Sequence, residues 1–418
     1  MKGRTAARSP LRILFISFNM PWQGGGTFYR VMGFARHLVR RGHQVTVLAT
    51  SRAERVQWEH TVEDGVRLAL APSMFSGKLR SGWDPYEVVR RCRWLNERSF
   101  DLIHGFESRP VVVYPALYAR RQSGAPLILD WCDWFGRGGS VEMRKGLEKV
   151  LLRPVETFFE ENFRTSAQGT TVINSLLRER AMGLGVPART IHWLPNGASV
   201  EKVQPMERAA ACRRLGLDPA QFYIGHLGQS FPDDATLMAE AFERVYRARV
   251  GARLLLIGHH KTAIADYLSR RDAVIETGFI DDEQLNLYLA ACDLMWLPLR
   301  DTLANRGRWP MKVNDYMAAG RATVSTAVGD LVSLFHGSTP VGRLAADEPR
   351  AFASQTLALW QDEPARSEYE KNARLVAESR FAWPIVTAAL ETFYNETLGS
   401  SGAGIMSAQT SRRTPWSL

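Results

Sequence analysis

Asn305, Arg306, Arg308, Lys312 and Asp315 fall within one short stretch, Asp301–Asp330, which reads DTLANRGRWPMKVNDYMAAGRATVSTAVGD. Asn305, Arg306 and Arg308 lie in a loop after the apolar run Leu294–Leu299, which reads as a buried parallel strand. Pro310 then opens a helix over Met311–Ala319, closed by Gly320 as a left-handed cap. Lys312 falls in its first turn, where the helix dipole is already positive. Cations gathered there make sense when an anion joins them, because free backbone N–H groups converge on the same point. Asp315 and Tyr316 follow one turn later and share the face of Lys312. The chemistry this suggests is phosphate binding beside a carboxylate placed for sugar hydroxyls. The alternative is a solvated basic loop beside an ordinary helix.

The first half of the chain offers a second set of polar groups. Gly24, Gly25 and Gly26 stand between a strand over Leu11–Phe18 and a helix over Thr27–Arg41. Such a loop lets a backbone approach a ligand, or is merely flexible; the dinucleotide fingerprint GxGxxG is absent. His104 closes a short strand over Phe100–His104. Asp130 and Asp133 follow the strand Pro126–Leu129, at the carboxyl end where open α/β sheets place ligands, although capping explains them equally. Two residues separate these carboxylates, so no DxD metal motif is formed. The adjacent pair His259–His260 has no matching Asp/Cys cluster.

The elements that must position these groups alternate strand and helix, which indicates an α/β class with parallel sheets. The order of strand, basic loop, Pro-x-Lys, acidic residue, Tyr-Met-Ala-Ala-Gly and Thr-Val-x-[Ser/Thr] resembles the nucleotide-sugar site of family-4 glycosyltransferases of the GT-B fold. Further matches are Gly-Gly after the first strand, Arg41-Gly42-His43-Gln44-Val45, Asp101-Leu102-Ile103-His104, Pro195-Asn196-Gly197-Ala198 and Trp383 at the head of the last helix. The resemblance covers Leu11–Leu398. It implies two Rossmann-like domains facing a cleft: residues 1–198 for the acceptor, 199–382 for the nucleotide sugar, and a crossing helix over 383–398. Beyond the resemblance, Gly399–Leu418 is mostly small and polar and reads as a disordered tail. The resemblance also implies sugar transfer from a nucleotide-diphosphate donor to a glycan or lipid-linked acceptor hydroxyl, retaining and without metal or other cofactor.

By this resemblance Gly24–Gly26, Asn305, Arg306, Arg308, Lys312 and Asp315 hold the donor. Asp130, Asp133 and His104 are the catalytic candidates, with Cys132 where many members carry a histidine. The chain departs from the family elsewhere too. Gly225-His226 replaces Gly-Arg, no Lys or Arg follows until Arg244, and Gly307 takes the place of the first glutamate. Two alternatives therefore stay open: a non-catalytic nucleotide-sugar-binding relative, and a GT-B nucleotide-sugar epimerase.

Composition sets the outer limits. The 418 residues are 45% hydrophobic and 23% charged, enough for two folded domains. Four cysteines without a CxxC pair suggest neither a zinc site nor a disulfide framework. No apolar run approaches the roughly 20 residues that span a bilayer. A net charge of +10 suits anionic substrates or an anionic membrane surface. The basic, aromatic segment Met74–Phe100 raises the membrane possibility, although it also reads as a helix packed by Val88, Trp94 and Leu95. No nucleic-acid recognition motif accompanies the charge. A cytoplasmic protein, peripheral at the inner membrane face, is the expected setting.

Overall fold

A computed structural model describes residues 9–19, 26–52, 55–77, 80–260 and 264–410. The chain divides into two compact units, Met1–Leu194 with Thr387–Leu418, and Pro195–Val386. The boundary falls before Pro195, so Pro195–Ala198 belongs to the second unit rather than closing the first.

The first unit holds eight strands: β1 Arg12–Ile16, β2 Gln44–Thr50, β3 Glu59–Glu63, β4 Val66–Ala71, β5 Leu102–Phe106, β6 Leu127–Trp131, β7 Gly169–Val172 and β8 Ile191–Trp193. Their order is β3-β4-β2-β1-β5-β6-β7-β8. Among the described residues only the β3–β4 pair of this sheet is antiparallel. Helices α1 Gly26–Arg40, α2 Pro85–Leu95, α3 Pro110–Ser123, α4 Gly146–Asn162 and α5 Ser175–Gly183 connect the strands. β1, β5 and β6 are buried almost throughout, as strands covered on both faces must be.

The second unit holds β9 Phe222–Leu227, β10 Ala252–Ile257, β11 Val274–Glu276, β12 Leu294–Leu297, β13 Thr323–Thr326 and β14 Gly342–Ala345, in the order β11-β10-β9-β12-β13-β14. Every pair is parallel. Its helices are α6 Arg208–Arg214, α7 Pro232–Ala248, α8 Asp282–Ala291, α9 Leu303–Arg306, α10 Met311–Ala318, α11 Leu331–His336, α12 Pro349–Gln361 and α13 Glu363–Val376. The final helix, α14, runs Trp383–Thr410, so the expected tail from Gly399 is helical as far as Thr410. Both Rossmann-like sheets expected from the sequence are present.

Two strand ends differ from expectation. β5 and β6 each run two residues further, through Phe106 and Trp131. Asp130 reads as the polar end of a strand, but it lies inside β6 because Arg30, 100 residues away, neutralises it. The Pro-Asn-Gly motif also finds its physical reason. A Cβ on Gly197 would lie 2.1 Å from the Trp383 ring, so only glycine lets the indole lie against this backbone. Asn314 of α10 donates to the carbonyls of Asn196 and Gly197 at 2.7 and 3.1 Å, which ties this segment to the helix of the basic stretch.

Candidate functional site

Among its parallel strands, each sheet has one point where the strand order reverses. In the second unit it lies between β9 and β12, in the first between β1 and β5. Loops leaving such a pair diverge, and ligands of open α/β sheets bind at the carboxyl ends of those strands.

At the second unit's reversal point, His226 is buried near the end of β9. Its Nδ1 lies 3.1 Å from the Trp296 carbonyl oxygen, which can only accept, so Nδ1 carries the proton. Nε2 is then an acceptor, with Ser230 Oγ at 2.8 Å and Lys312 Nζ at 3.1 Å. Lys312 also donates to the Gln229 carbonyl at 2.7 Å. Burial, reinforced by Arg308, lowers the Lys312 ammonium to about 7. Burial, then Lys312, push His226 well below its ordinary value. The cluster thus keeps a neutral imidazole and an ammonium poised near neutral pH.

Other groups surround this pair. Arg308 stacks over Phe231 at 4.2 Å and reaches Asp234 at 3.3 Å. Asp234 also accepts from the Arg300 N–H at 2.7 Å and from Asn305 Nδ2 at 3.0 Å. Burial raises its carboxyl, with Arg308 opposing. The two ring nitrogens of His260 are buried without hydrogen bonds, and its ring lies 5.8 Å from that of His226. α10 begins at Pro310 with no side-chain cap, leaving its first N–H groups unmet by side chains. One turn on, Asp315 is partly buried, and no described group donates to its carboxylate. Burial, then Asp282, raise it to about 7. The arrangement suits a diphosphate at the helix start and hydroxyls at Asp315.

At the first unit's reversal point, Glu107 follows β5 with φ +75°, a left-handed backbone that non-glycine residues seldom adopt. It is buried. Thr27 Oγ1 and Cys132 Sγ both donate to its Oε1, at 2.8 and 2.9 Å. Burial, then Asp133, raise its carboxyl to about 8. The shift favours the protonated form of Glu107 at neutral pH, against the pull of its two donated hydrogen bonds. With two donors already on Oε1, the proton belongs on Oε2, so the group acts as a hydrogen-bond donor. Ligand atoms of Glu107, Cys132 and Asp133 lie within 4.8 Å of one another, and could hold a cation once Glu107 and Cys132 lost their protons.

The residues singled out in the sequence separate into distinct environments. Lys312, Arg308 and Asn305 gather at the second reversal point. Asn305 is buried, its amide nitrogen spent on Asp234 and the Arg300 carbonyl, while its Oδ1 has no donor. Arg306 is turned to Asp301, with bonds of 2.5 and 2.6 Å. Gly26 begins α1, while Gly24 and Gly25 lie outside the described residues. Asp133 joins Glu107.

Asp130 and His104 lie in the interior, not at an open strand end. Asp130 takes a bidentate pair from Arg30 at 2.9 and 2.8 Å and a bond from Thr171 Oγ1 at 2.5 Å. His104 Nδ1 meets the Tyr394 hydroxyl at 2.7 Å, and its Nε2 meets Thr171 Oγ1 at 3.2 Å. Because Thr171 donates to Asp130, it accepts from His104, and the imidazole is neutral. Burial lowers it to about 3. Their polar valences are spent on holding β5, β6, β7 and α14 together. The sequence reading missed Glu107, Thr27 and Asp234. Nothing local marks Glu107 except its place directly after a strand.

The comparisons with known proteins agree with this architecture. Residues 25–197 match the model of the glycosyl transferase 4-like domain, and residues 218–362 that of the glycosyl transferases group 1. A GDP-mannose-dependent alpha-mannosyltransferase of Mycobacterium tuberculosis (strain CDC 1551 / Oshkosh) is 22% identical over 229 residues, 53% of this chain and 57% of that relative's length. The sucrose-phosphate synthase structure from Thermosynechococcus elongatus superposes with a TM-score of 0.73 at 16% identity, covering 93% of this chain and all of that one. The Anabaena HepE structure, solved with UDP-glucose, gives 0.65 at 17% identity, covering 93% of this chain and 100% of that one. Matched in both halves by these models and sharing the GT-B architecture throughout, the chain belongs to the group 1, family-4 glycosyltransferases.

Proposed function

We propose that the chain transfers a sugar from a nucleotide-diphosphate donor to the hydroxyl of a glycan or lipid-linked acceptor, with retention and without a metal ion. The second unit holds the donor and the first holds the acceptor. The observation that carries this is Lys312: an ammonium at an uncapped helix start, with Asp315 open one turn later. Lys312, Arg308 and the first N–H groups of α10 meet the diphosphate charge, and Asp315 accepts from the ribose hydroxyls. As the acceptor oxygen bonds to the anomeric carbon, the bond from that carbon to the diphosphate breaks. The acceptor proton leaves with the diphosphate, whose charge the same cations stabilise. Glu107, a protonated carboxyl at the first unit's reversal point, is the donor we assign to an acceptor oxygen.

His226 occupies the place of the family arginine. Being neutral, it accepts from Lys312 and orients it instead of adding charge. The diphosphate charge is then left to Lys312, Arg308 and the start of α10.

The test is binding of UDP-, GDP-, ADP- and dTDP-sugars to the wild type and to Arg308→Ala/Lys312→Ala. GDP-mannose and UDP-glucose come first, because the relatives above use or bind them. Tight binding of one donor, lost in the double variant, supports the site. No binding by folded wild-type protein refutes it. Conversion of donor without an acceptor would indicate an epimerase instead.

A further inference from the structure

Helix α4 is amphipathic in the reverse sense. Its buried residues are polar: Glu156, Thr157 and Glu160. Glu160 accepts from Trp131 Nε1 at 3.0 Å and from the N–H groups of Phe135 and Gly136 at 2.8 and 2.7 Å. Glu156 binds Arg109 at 2.6 Å and Arg144 at 3.0 Å. The apolar residues Leu147, Val150, Leu151, Val155 and Phe158 are turned to solvent, with exposures from 40% at Val155 to 70% at Leu147. Exposed Pro154 completes the row. Their spacing of three, four, seven, eight and eleven residues from Leu147 draws one stripe along the helix. Phe158 is backed by an aromatic cluster, with Phe159 at 5.4 Å and Phe163 at 5.7 Å. Tyr114 of α3 joins Phe159 at 5.7 Å and is itself exposed. A continuous apolar row held outward by buried polar anchors marks an interaction surface.

Charge and size select the partner. Around the amino-terminal half of the stripe, Arg137, Arg144, Lys145, Lys149 and Arg153 outnumber Glu142 and Glu148. Glu142 is already paired with Lys149 and Arg153. A helix of this length offers a strip of about 25 Å by about 10 Å. That is roughly 250 Å², well short of the ~800 Å² per partner that a stable protein dimer buries. A strip of that size with a cationic rim suits the headgroup layer of an anionic bilayer, into which such a helix sinks without spanning it. No helix among the described residues is long and apolar enough to cross a membrane. The segment expected to carry membrane affinity, Met74–Phe100, is a poorer surface. There Arg91 is buried against Glu87, and Trp94 stacks on Trp58.

We propose that the exposed apolar face of α4 docks the first unit on an anionic lipid surface. This inference is independent of the donor reading. The test is co-sedimentation of the full chain with vesicles of phosphatidylcholine, alone or with a minority of phosphatidylglycerol. It compares wild type with Leu147→Glu/Leu151→Glu/Phe158→Glu and with Lys145→Glu/Lys149→Glu. Leu147, Leu151, Phe158 and Lys145 are exposed, while Lys149 is half-buried against Glu142, so circular dichroism checks the fold of both variants. Wild type should sediment with the anionic vesicles, and the triple variant should lose at least about tenfold in partitioning. The lysine variant should bind more weakly in low salt. The proposal is overturned if wild type ignores both vesicles, binds both equally, or binds no better than the folded triple variant. It is also overturned if light scattering shows a dimer that the triple variant dissociates, because the stripe then covers a second copy.

Discussion

Lys312 and Asp315 impose opposite pH limbs on donor binding, and single substitutions separate them. Lys312 is lowered to about 7, so it is charged below that pH and neutral above it. At pH 8 only about one molecule in eleven carries the ammonium, which weakens binding of a diphosphate about tenfold relative to pH 6. This is ~1.4 kcal/mol, and the loss grows about tenfold per further unit until the pKa of the bound state is reached. Asp315 is raised to about 7, so it gains its accepting charge as pH rises. In wild type the two limbs oppose, and affinity should peak near pH 7. Asp315→Asn should leave only the falling limb above pH 7, and Lys312→Met only the rising one. His226, well below its ordinary value, and His260, at about 4, do not titrate in this range. Calorimetric titration of each protein with the best-binding nucleotide sugar from pH 6 to 9 provides the readout. A sugar diphosphate is fully ionised throughout, so the ligand adds no slope. If Asp315→Asn bound equally at pH 6 and 8, the assignment of Lys312 to the diphosphate would be refuted.

Four further outcomes are expected. Asp130→Asn should cost about 3–5 kcal/mol in urea unfolding, because it leaves Arg30 charged and buried without its partner; a loss below ~1 kcal/mol would refute this structural role for Asp130. Glu107→Gln keeps an accepting oxygen and a hydrogen-bond donor in place of the protonated carboxyl, so it should largely retain kcat while making the protein more stable at alkaline pH. The sign follows from its pKa, raised to about 8: the native state holds a proton that the unfolded chain releases, so wild type loses stability between about pH 4.5 and 8 and the amide does not. Gly197→Ala should cost about 1–3 kcal/mol in thermal or urea unfolding, as the new methyl meets the Trp383 ring. Chelation by EDTA should leave transfer activity unchanged; activity lost to EDTA and restored by a divalent ion would instead direct attention to Glu107, Cys132 and Asp133.

Much of the fold could be read directly from the chain, because local physics dictates it. Apolar runs such as Leu294–Leu297 become buried parallel strands, and Asp281 with Gln284 forms the capping box that starts α8. The basic helix start at Lys312 and its carboxylate at Asp315 were visible for the same reason: both lie on one element, three residues apart. What the sequence could not show depends on groups brought together from distant segments. Asp130 reads as an open strand-end carboxylate until Arg30 arrives from α1 and closes it. His104 reads as a catalytic histidine until Tyr394, 290 residues later, takes its ring nitrogen. Glu107 reads as an ordinary loop residue until Thr27 and Cys132 converge on one of its oxygens and burial holds its proton. The period of α4 is legible in its sequence, but its inside-out burial is not. A periodic pattern says which residues share a face, and only the packing of Glu156 and Glu160 against their distant partners decides which face is turned to water.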